Sequence, residues 1–305
     1  MSETIADILA EENVTPNARV TSVCEAIAAR HPGRVQAFMY YGSSLRDLDD
    51  ADKMLDFYVV VDSYRKTHKN PIRAGLNRLI PPAVYYYEQE DENGILSTCK
   101  YSIISISEFE RRCGADALLS MVWGRFCQPS VMLFPKSELI AERLMASRET
   151  AVKYMASQIA PLIDTPVTST QFWAKGFYES YRTELRPESS EGRAAEIVAR
   201  YGERYARLTI ALYGTPDKDG FFILPNLPEG PTKTKWFLRR LVGKPMTAIR
   251  VINSAATFEG GLDYVLRKLK NHSGVTIEPT PFQRKHPVIC SPVLGWKLWR
   301  KGAFN

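Results

Sequence analysis

Between Phe38 and Asp62 the chain reads FMYYGSSLRDLDDADKMLDFYVVVD, with Gly42, Ser43 and Ser44 closing one apolar run and Asp56 opening the next. A glycine at such a turn lets the backbone approach a chain of phosphates, and the two serine hydroxyls can donate to its oxygens. A carboxylate on the neighbouring strand can hold a Mg²⁺ ion that neutralises their charge. The same residues also suit an ordinary turn, with Asp56 doing no more than beginning a strand. Three cationic or titratable residues extend the pattern. Lys100 begins a later apolar run, where its ammonium could screen a triphosphate or merely decorate an edge strand. Arg125, in Trp123-Gly124-Arg125, could grip phosphate with both arms of its guanidinium or form a salt bridge on a helix. His68 stands in a basic stretch with Arg65, Lys66 and Lys69 and could bind phosphate, act as an acid, or simply sit in a surface loop.

These residues need a sheet to bring them together, and the hydrophobic pattern supplies one. β-branched and aromatic runs predict strands over 35–41, 55–61, 83–88 and 99–106. Helical spacing marks 5–29, with a break at 13–17, and a basic loop, SYRKTHKNPIRAG, follows Asp62. Ser107 and Glu110 make a capping-box signature for a helix after the fourth strand. Strands and helices interleave to about residue 134, and amphipathic helices then dominate over 138–162, 168–184 and 192–213. A Pro/Gly-rich interval over 214–235, with an apolar patch at Phe221 to Leu224, reads as a long excursion or a short hairpin rather than a linker. Two further helices, 236–241 and 245–269, precede a tail of short extended pieces. The expected fold class is α+β, a mixed sheet with helices over 1–136 followed by a mainly helical domain over 137–305 with a basic, aromatic tail.

Composition narrows the setting. With 305 residues, 45% of them hydrophobic and 24% charged, the chain can bury a full core without covalent staples. The five cysteines lack any CxxC spacing, so neither a disulfide framework nor a zinc site is indicated. No apolar run approaches the length of a membrane span and the first twelve residues are acidic, which gives a cytoplasmic expectation. The net charge of +6 is uneven: residues 231–305 hold 14 Lys/Arg against 3 Asp/Glu, a local +11 that leaves the remainder at −5. Such a basic end suits nucleic acid, an acidic membrane surface or an anionic substrate. Near its close, PVLGWKLWRKGAF interleaves Trp296 and Trp299 with Lys297 and Arg300, the mixture of a segment lying among lipid headgroups, or of a tail closing a core.

The order of motifs resembles the mitochondrial translocator-maintenance type of phosphatidate cytidylyltransferase, a non-polytopic CDP-diacylglycerol synthase of the nucleotidyltransferase superfamily. Tyr41-Gly42-Ser43 is similar to that family's YGSG turn. Met54 to Phe57 with Val60-Val61-Asp62 and His68 is similar to its MIDFIFAVD followed by WH. Val84-Tyr85-Tyr86 resembles its VYFN, Lys100 to Ser105 its KYGVIS, and Gly124-Arg125-Phe126 with Pro129 its GRLxKP. The likeness covers about residues 38–135. It departs at Thr67, Tyr87 and Gln128, where the family carries Trp, Asn and Lys, and Tyr58 stands where a second strand carboxylate is usual in the superfamily.

The resemblance implies a nucleotidyltransferase-like sheet and a Mg²⁺-dependent reaction of CTP with phosphatidate, giving CDP-diacylglycerol and pyrophosphate. It also implies a cytoplasmic enzyme, peripheral to the inner face of an anionic membrane and active in phospholipid biosynthesis. Asp56 and Lys100 become the catalytic pair, with Asp56 on the metal. Gly42, Ser43, Ser44, Lys100, Arg125 and His68 become the nucleotide contacts. Beside the resemblance, the residue types leave the other metal ligands open: phosphate oxygens and water, or a further carboxylate, with Glu88 or Asp50 as candidates. Trp296, Lys297, Trp299 and Arg300 are the expected membrane contacts, and nucleic acid is disfavoured as a partner. Two other readings stay open: the same transfer to a protein, a small alcohol or RNA, and an inactive module that serves as an adaptor.

Overall fold

The computed structural model describes residues 3–46, 53–68, 70–80, 82, 84–90, 94–185, 189–255, 262, 266, 269–270, 273–285 and 287–302. Its centre is a mixed five-stranded sheet in an α+β fold. The strands are β1 (Val35–Tyr41), β2 (Leu55–Val61), β3 (Val84–Glu90), β4 (Leu96–Ser105) and β5 (Val131–Leu133), in the order β3-β4-β2-β1-β5. β2 lies parallel to β4 and the other pairs are antiparallel. Residues 57–61 of β2 are all buried, because both faces of the sheet are covered; this is why the strand reads FYVVV rather than alternating.

One face carries Phe38, Tyr40, Phe57, Val59, Tyr101 and Ile103 and is roofed by α2 (Ala18–Arg30). That helix begins at Asn17, whose side chain accepts from the Val20 amide, and buries Val20, Val23, Cys24 and Ile27 at helical spacing. The other face carries Met39, Tyr58, Val60 and Ile104 and packs on residues from beyond β5, among them Leu144, Met155 and Trp173. A single hydrophobic cluster therefore runs across the 136/137 boundary.

The helical part is built from α7 (Glu138–Ile159), α8 (Ser169–Tyr181), α9 (Ser190–Arg200), α10 (Gly202–Tyr213) and α11 (Glu229–Ala255). Ser137 caps α7, and a Thr168/Gln171 capping box starts α8. The N-terminal helix α1 (Ile5–Ala10) is fastened to this part by charge. Glu12 accepts from Arg148 of α7 and Arg204 of α10, and also from the Ser130 amide at 3.2 Å. Arg204 further donates to the Cys127 carbonyl at 3.0 Å.

Several local expectations change. The basic stretch after Asp62 is two helices, α3 (Tyr64–Thr67) and α4 (Pro71–Leu79), because Asn70 caps the Ile72 and Arg73 amides and Pro71 suits the first turn. The helix after β4, α5 (Ile106–Arg112), is capped by Ser105, not Ser107, and Glu110 instead pairs with Arg143 at 2.7 Å. The 192–213 segment divides at Tyr201 into two helices. α11 continues through Pro245, and at Gly243 it passes so close to the Thr183 carbonyl oxygen that a Cβ there would collide with it. The tail is helical, with short Pro281–Lys285 followed by Pro287–Arg300. Leu294 and Leu298, one turn apart, are buried against Leu262 and Leu266. The 221–224 patch contributes Phe221–Phe222, paired with Val167–Thr168.

Burial works to raise the Glu12 carboxyl, but the Arg204 and Arg148 guanidiniums outweigh it and hold the group below its ordinary value of 4.5. A depressed folded value means that this stabilisation is complete above pH 4.5 and is lost as pH falls further through the folded value. Glu12→Gln should lower unfolding free energy by about 3 kcal/mol or more, since two enclosed guanidiniums lose their counter-charge. It should also flatten the acid limb of a urea-unfolding series run from neutral pH downward; an unchanged limb would show that Glu12 is not the controlling carboxylate.

Candidate active site

The register of three strands assembles the site. Asp56 lies opposite Tyr41 on β1 and opposite Lys100 on β4, and Lys100 lies opposite Tyr86 on β3. Residues facing one another across a ladder project to the same side, so these four form a row on the face that meets the helices. Tyr58, two residues beyond Asp56, shares that face, with its ring 5.5 Å from Tyr41.

Gly42 ends β1 with φ +97°, a conformation that favours glycine, and a Cβ there would lie 2.7 Å from Asp56 Oδ2. The carboxylate is thus laid against bare backbone at the turn. Burial, followed by the Asp56 charge, pushes the Tyr41 phenol far up, so it stays protonated and can donate at neutral pH.

Arg125 reaches the row from α6 (Trp123–Phe126). Trp123 and Phe126 are fully buried, and Phe126 packs edge-on to Tyr58 at 5.2 Å, which leaves the intervening Arg125 stacked over the Tyr41 ring at 4.8 Å. Gln128 donates to the Gly124 carbonyl at 2.9 Å and accepts from the Tyr181 hydroxyl at 3.3 Å. Two further charges come from distant sequence: Arg250 of α11 acts on Tyr58 and Tyr41, and Glu184 acts on Tyr58 and Arg125. Burial raises the Tyr58 phenol, while Arg250 and Arg125 pull against it. The face therefore holds Lys100, Arg125 and Arg250 with Asp56 and Glu184, an excess of positive charge suited to an anion.

Gly42, Asp56, Lys100 and Arg125 are thus brought together, with Ser43 exposed at the turn beside them. Ser44 is not with them. It is buried and its hydroxyl faces Tyr40, on the α2 side of the sheet, because the chain turns into a short 3₁₀ helix at that residue. His68 is also elsewhere. It stacks on Tyr64 and lies 3.3 Å from Asn77, whose amide donates to the Ile103 carbonyl at 3.1 Å. That position is on the α2 side and three residues, roughly 10 Å, along β4 from the Lys100 row. Burial, then Arg73 and His31, push its ring down to about 4, which makes it a neutral packing residue.

The sequence marks Tyr58 only as a missing carboxylate, and its strand parity with Asp56 puts it on the same face. Nothing local in the sequence marks Arg250 or Glu184, which arrive through tertiary packing. Trp296 and Trp299 are 54% and 68% exposed on the outside of the C-terminal helix, with Lys297 and Arg300 beside them. Arg300 lies over the Trp296 ring at 4.8 Å. Among the described residues no helix is long and apolar enough to cross a membrane. A groove of about 490 Å³ opens between α8 and α11 around Glu179, which pairs with Arg240 at 3.0 Å and Lys175 at 3.1 Å; its lining contains no member of the Asp56 row.

For a metal, the row offers one carboxylate. Tyr58 and Lys100 occupy the adjacent positions, and Glu88, which accepts from Tyr86 at 2.8 Å, lies two strands over and one pleat along, roughly 12 Å from Asp56. Asp50 lies outside the described residues. Among the described residues no cluster of three His, Cys, Asp or Glu could hold an ion. The donors among the described residues fit one Mg²⁺ that draws its remaining ligands from phosphate and water. No protein-family model matches the chain, and no curated protein matches it.

Gly42→Ala should destabilise the protein by about 1–3 kcal/mol through backbone strain and the clash with Asp56. Because Asp56→Ala removes the clashing oxygens, the double variant should be less destabilised than the sum of the singles. Simple additivity in a denaturant double-mutant cycle would mean that the two residues do not touch.

Proposed function

We propose that the chain is a nucleotidyltransferase of the phosphatidate cytidylyltransferase type, joining CTP and phosphatidate to give CDP-diacylglycerol and pyrophosphate. The observation that carries this reading is the Asp56 carboxylate set against Gly42 at the end of β1, with Lys100 in register beside it. The motif order over 38–135 supplies the acceptor and the nucleotide.

In the proposed reaction a phosphate oxygen of phosphatidate attacks the α-phosphorus of CTP, a new phosphorus–oxygen bond forms, and the bond to the departing pyrophosphate breaks. No protein nucleophile is needed, so the residues act by position and charge. The Gly42 backbone and exposed Ser43 line the approach of the phosphates. Lys100 and Arg125 offset the negative charge that builds on the α-phosphate and leaving group. Tyr41, kept protonated, offers a hydroxyl to a phosphate oxygen. Asp56 is the residue that would hold Mg²⁺, whose contribution when bound is further neutralisation of the phosphates.

That the strand row carries one carboxylate among the described residues also favours a second reading, a nucleotidyltransferase-like module that binds nucleotide or lipid without turnover. Incubation with each labelled NTP, Mg²⁺ and dispersed phosphatidate separates the two. On the first reading only CTP yields a lipid-linked product, and Asp56→Asn lowers its rate roughly 100-fold or more with the fold intact. CTP with Mg²⁺ should raise the melting temperature, whereas no shift with any NTP at saturating levels would leave only the second reading. For the C-terminal helix, the emission of Trp296 and Trp299 should shift to the blue with vesicles containing phosphatidate and much less with neutral ones. An unchanged spectrum would remove this helix from the membrane contact.

A further inference from the structure

The helix α4, PIRAGLNRL, faces the wrong way for an ordinary surface helix. Its large apolar residues Ile72, Leu76 and Leu79 recur at i, i+4 and i+7 and so form one stripe, yet they are 72%, 38% and 77% exposed. The residues it buries are Ala74 and Asn77, and Asn77 is occupied by its hydrogen bond to the Ile103 carbonyl. Folding therefore gains little from the stripe, and leaving three such side chains in water is unfavourable unless another phase receives them.

The charge around the stripe identifies that phase. At 100° per residue Arg73 and Arg78 fall on its two flanks, both exposed. Residues 63–82 contain five Lys/Arg and no Asp or Glu. Of these, Arg65 and Lys66 are exposed on the adjoining α3. An apolar ridge between cations, with no carboxylate in the segment, complements an acidic lipid interface, where the ridge enters the acyl boundary and the cations meet the headgroups. We propose that α3 and α4 form a membrane-contacting surface for anionic lipid, separate from the C-terminal helix. This inference stands on exposure and charge, and it holds whether or not the chain transfers a nucleotide.

The full chain should co-sediment with phosphatidylcholine vesicles containing phosphatidylserine and much less with phosphatidylcholine alone. Ile72→Ser/Leu79→Ser and, independently, Arg65→Glu/Arg78→Glu should each weaken that binding roughly tenfold or more. Arg73 is spared because it lies over the Tyr85 ring at 5.9 Å. Both pairs are exposed, so circular dichroism and melting temperature should be unchanged; if one pair impairs folding, the other still decides. The vesicles carry neither CTP nor phosphatidate, so failure of the proposed reaction leaves this result intact. Undiminished binding by both variants would overturn the proposal. So would loss of self-association in the serine variant with vesicle binding retained, which would make a second copy of the chain the occupant. Binding of oligonucleotides that only the charge-reversed pair abolishes would instead assign the surface to nucleic acid.

Discussion

The enclosure of Glu12 between Arg148 and Arg204 is the interaction on which the placement of the helices depends. A lone buried carboxylate or guanidinium would shift its protonation or draw water in, because desolvation of one ion costs several kcal/mol. Here each charge is answered by another from a distant part of the chain, and Arg204 adds the Cys127 carbonyl while Glu12 adds the Ser130 amide. The contacts tie the N-terminal segment, α7, α10 and the turn before β5 at one point. Large apolar clusters tolerate sliding, whereas an ion triad with fixed hydrogen bonds does not. The triad therefore sets how the helical part sits on the sheet face that carries Asp56.

That placement decides the electrostatics of the site. The sheet by itself offers Asp56 and Lys100 in a row, α6 adds Arg125, α11 adds the charge of Arg250, and the turn after α8 adds that of Glu184. Another buried arginine, Arg239, helps hold α11 where Arg250 can reach. Arg239 donates to the Leu118 carbonyl and the Tyr154 hydroxyl, both at 2.9 Å, and lies over the Trp236 ring at 4.7 Å and the Trp123 ring at 5.2 Å. Trp123 belongs to the same short helix as Arg125. The cage thus links the helix that brings Arg250 to the turn that brings Arg125, and displacement of α11 would disturb both cations together.

How far this was legible in the sequence follows from the range of each interaction. The strands were readable because β1, β2 and β4 carry dense β-branched and aromatic runs. So was the Gly42–Asp56 pairing, since both residues end short strands joined by one connection. Helix starts at Ser137 and Thr168 are local hydrogen-bond choices and were legible for the same reason. α4 was missed because its periodicity points outward and Pro71 and Gly75 read as loop residues. The helical tail was missed because Pro287 and Pro292 suggested extended chain, although Leu294 and Leu298 have helical spacing. Ser44 and His68 sit in plausible motifs; the side of the sheet to which the chain turns separates Ser44 from Asp56, and His68 lies on that side and also further along β4. Arg250 and Glu184 depend on packing between segments far apart, for which a single sequence holds no local signal.

That the described strand row carries one carboxylate does not weaken the proposed reaction, because charge neutralisation can be supplied by fixed cations as well as by ions. Among the described residues the strand row carries no further carboxylate for a second Mg²⁺, and with Lys100 adjacent in register such a site would suffer direct repulsion at a Cα spacing of roughly 5 Å. Lys100, Arg125 and Arg250 instead place permanent positive charge around the row, held by the sheet and by α6 and α11. Such charge is preorganised and needs no ion recruited from solution, which favours stabilisation of a dispersed negative charge over activation of a nucleophile. A phosphate monoester is already an adequate nucleophile. A site that screens charge well and deprotonates poorly suits that acceptor better than an alcohol, which would require a base that the row does not present among the described residues.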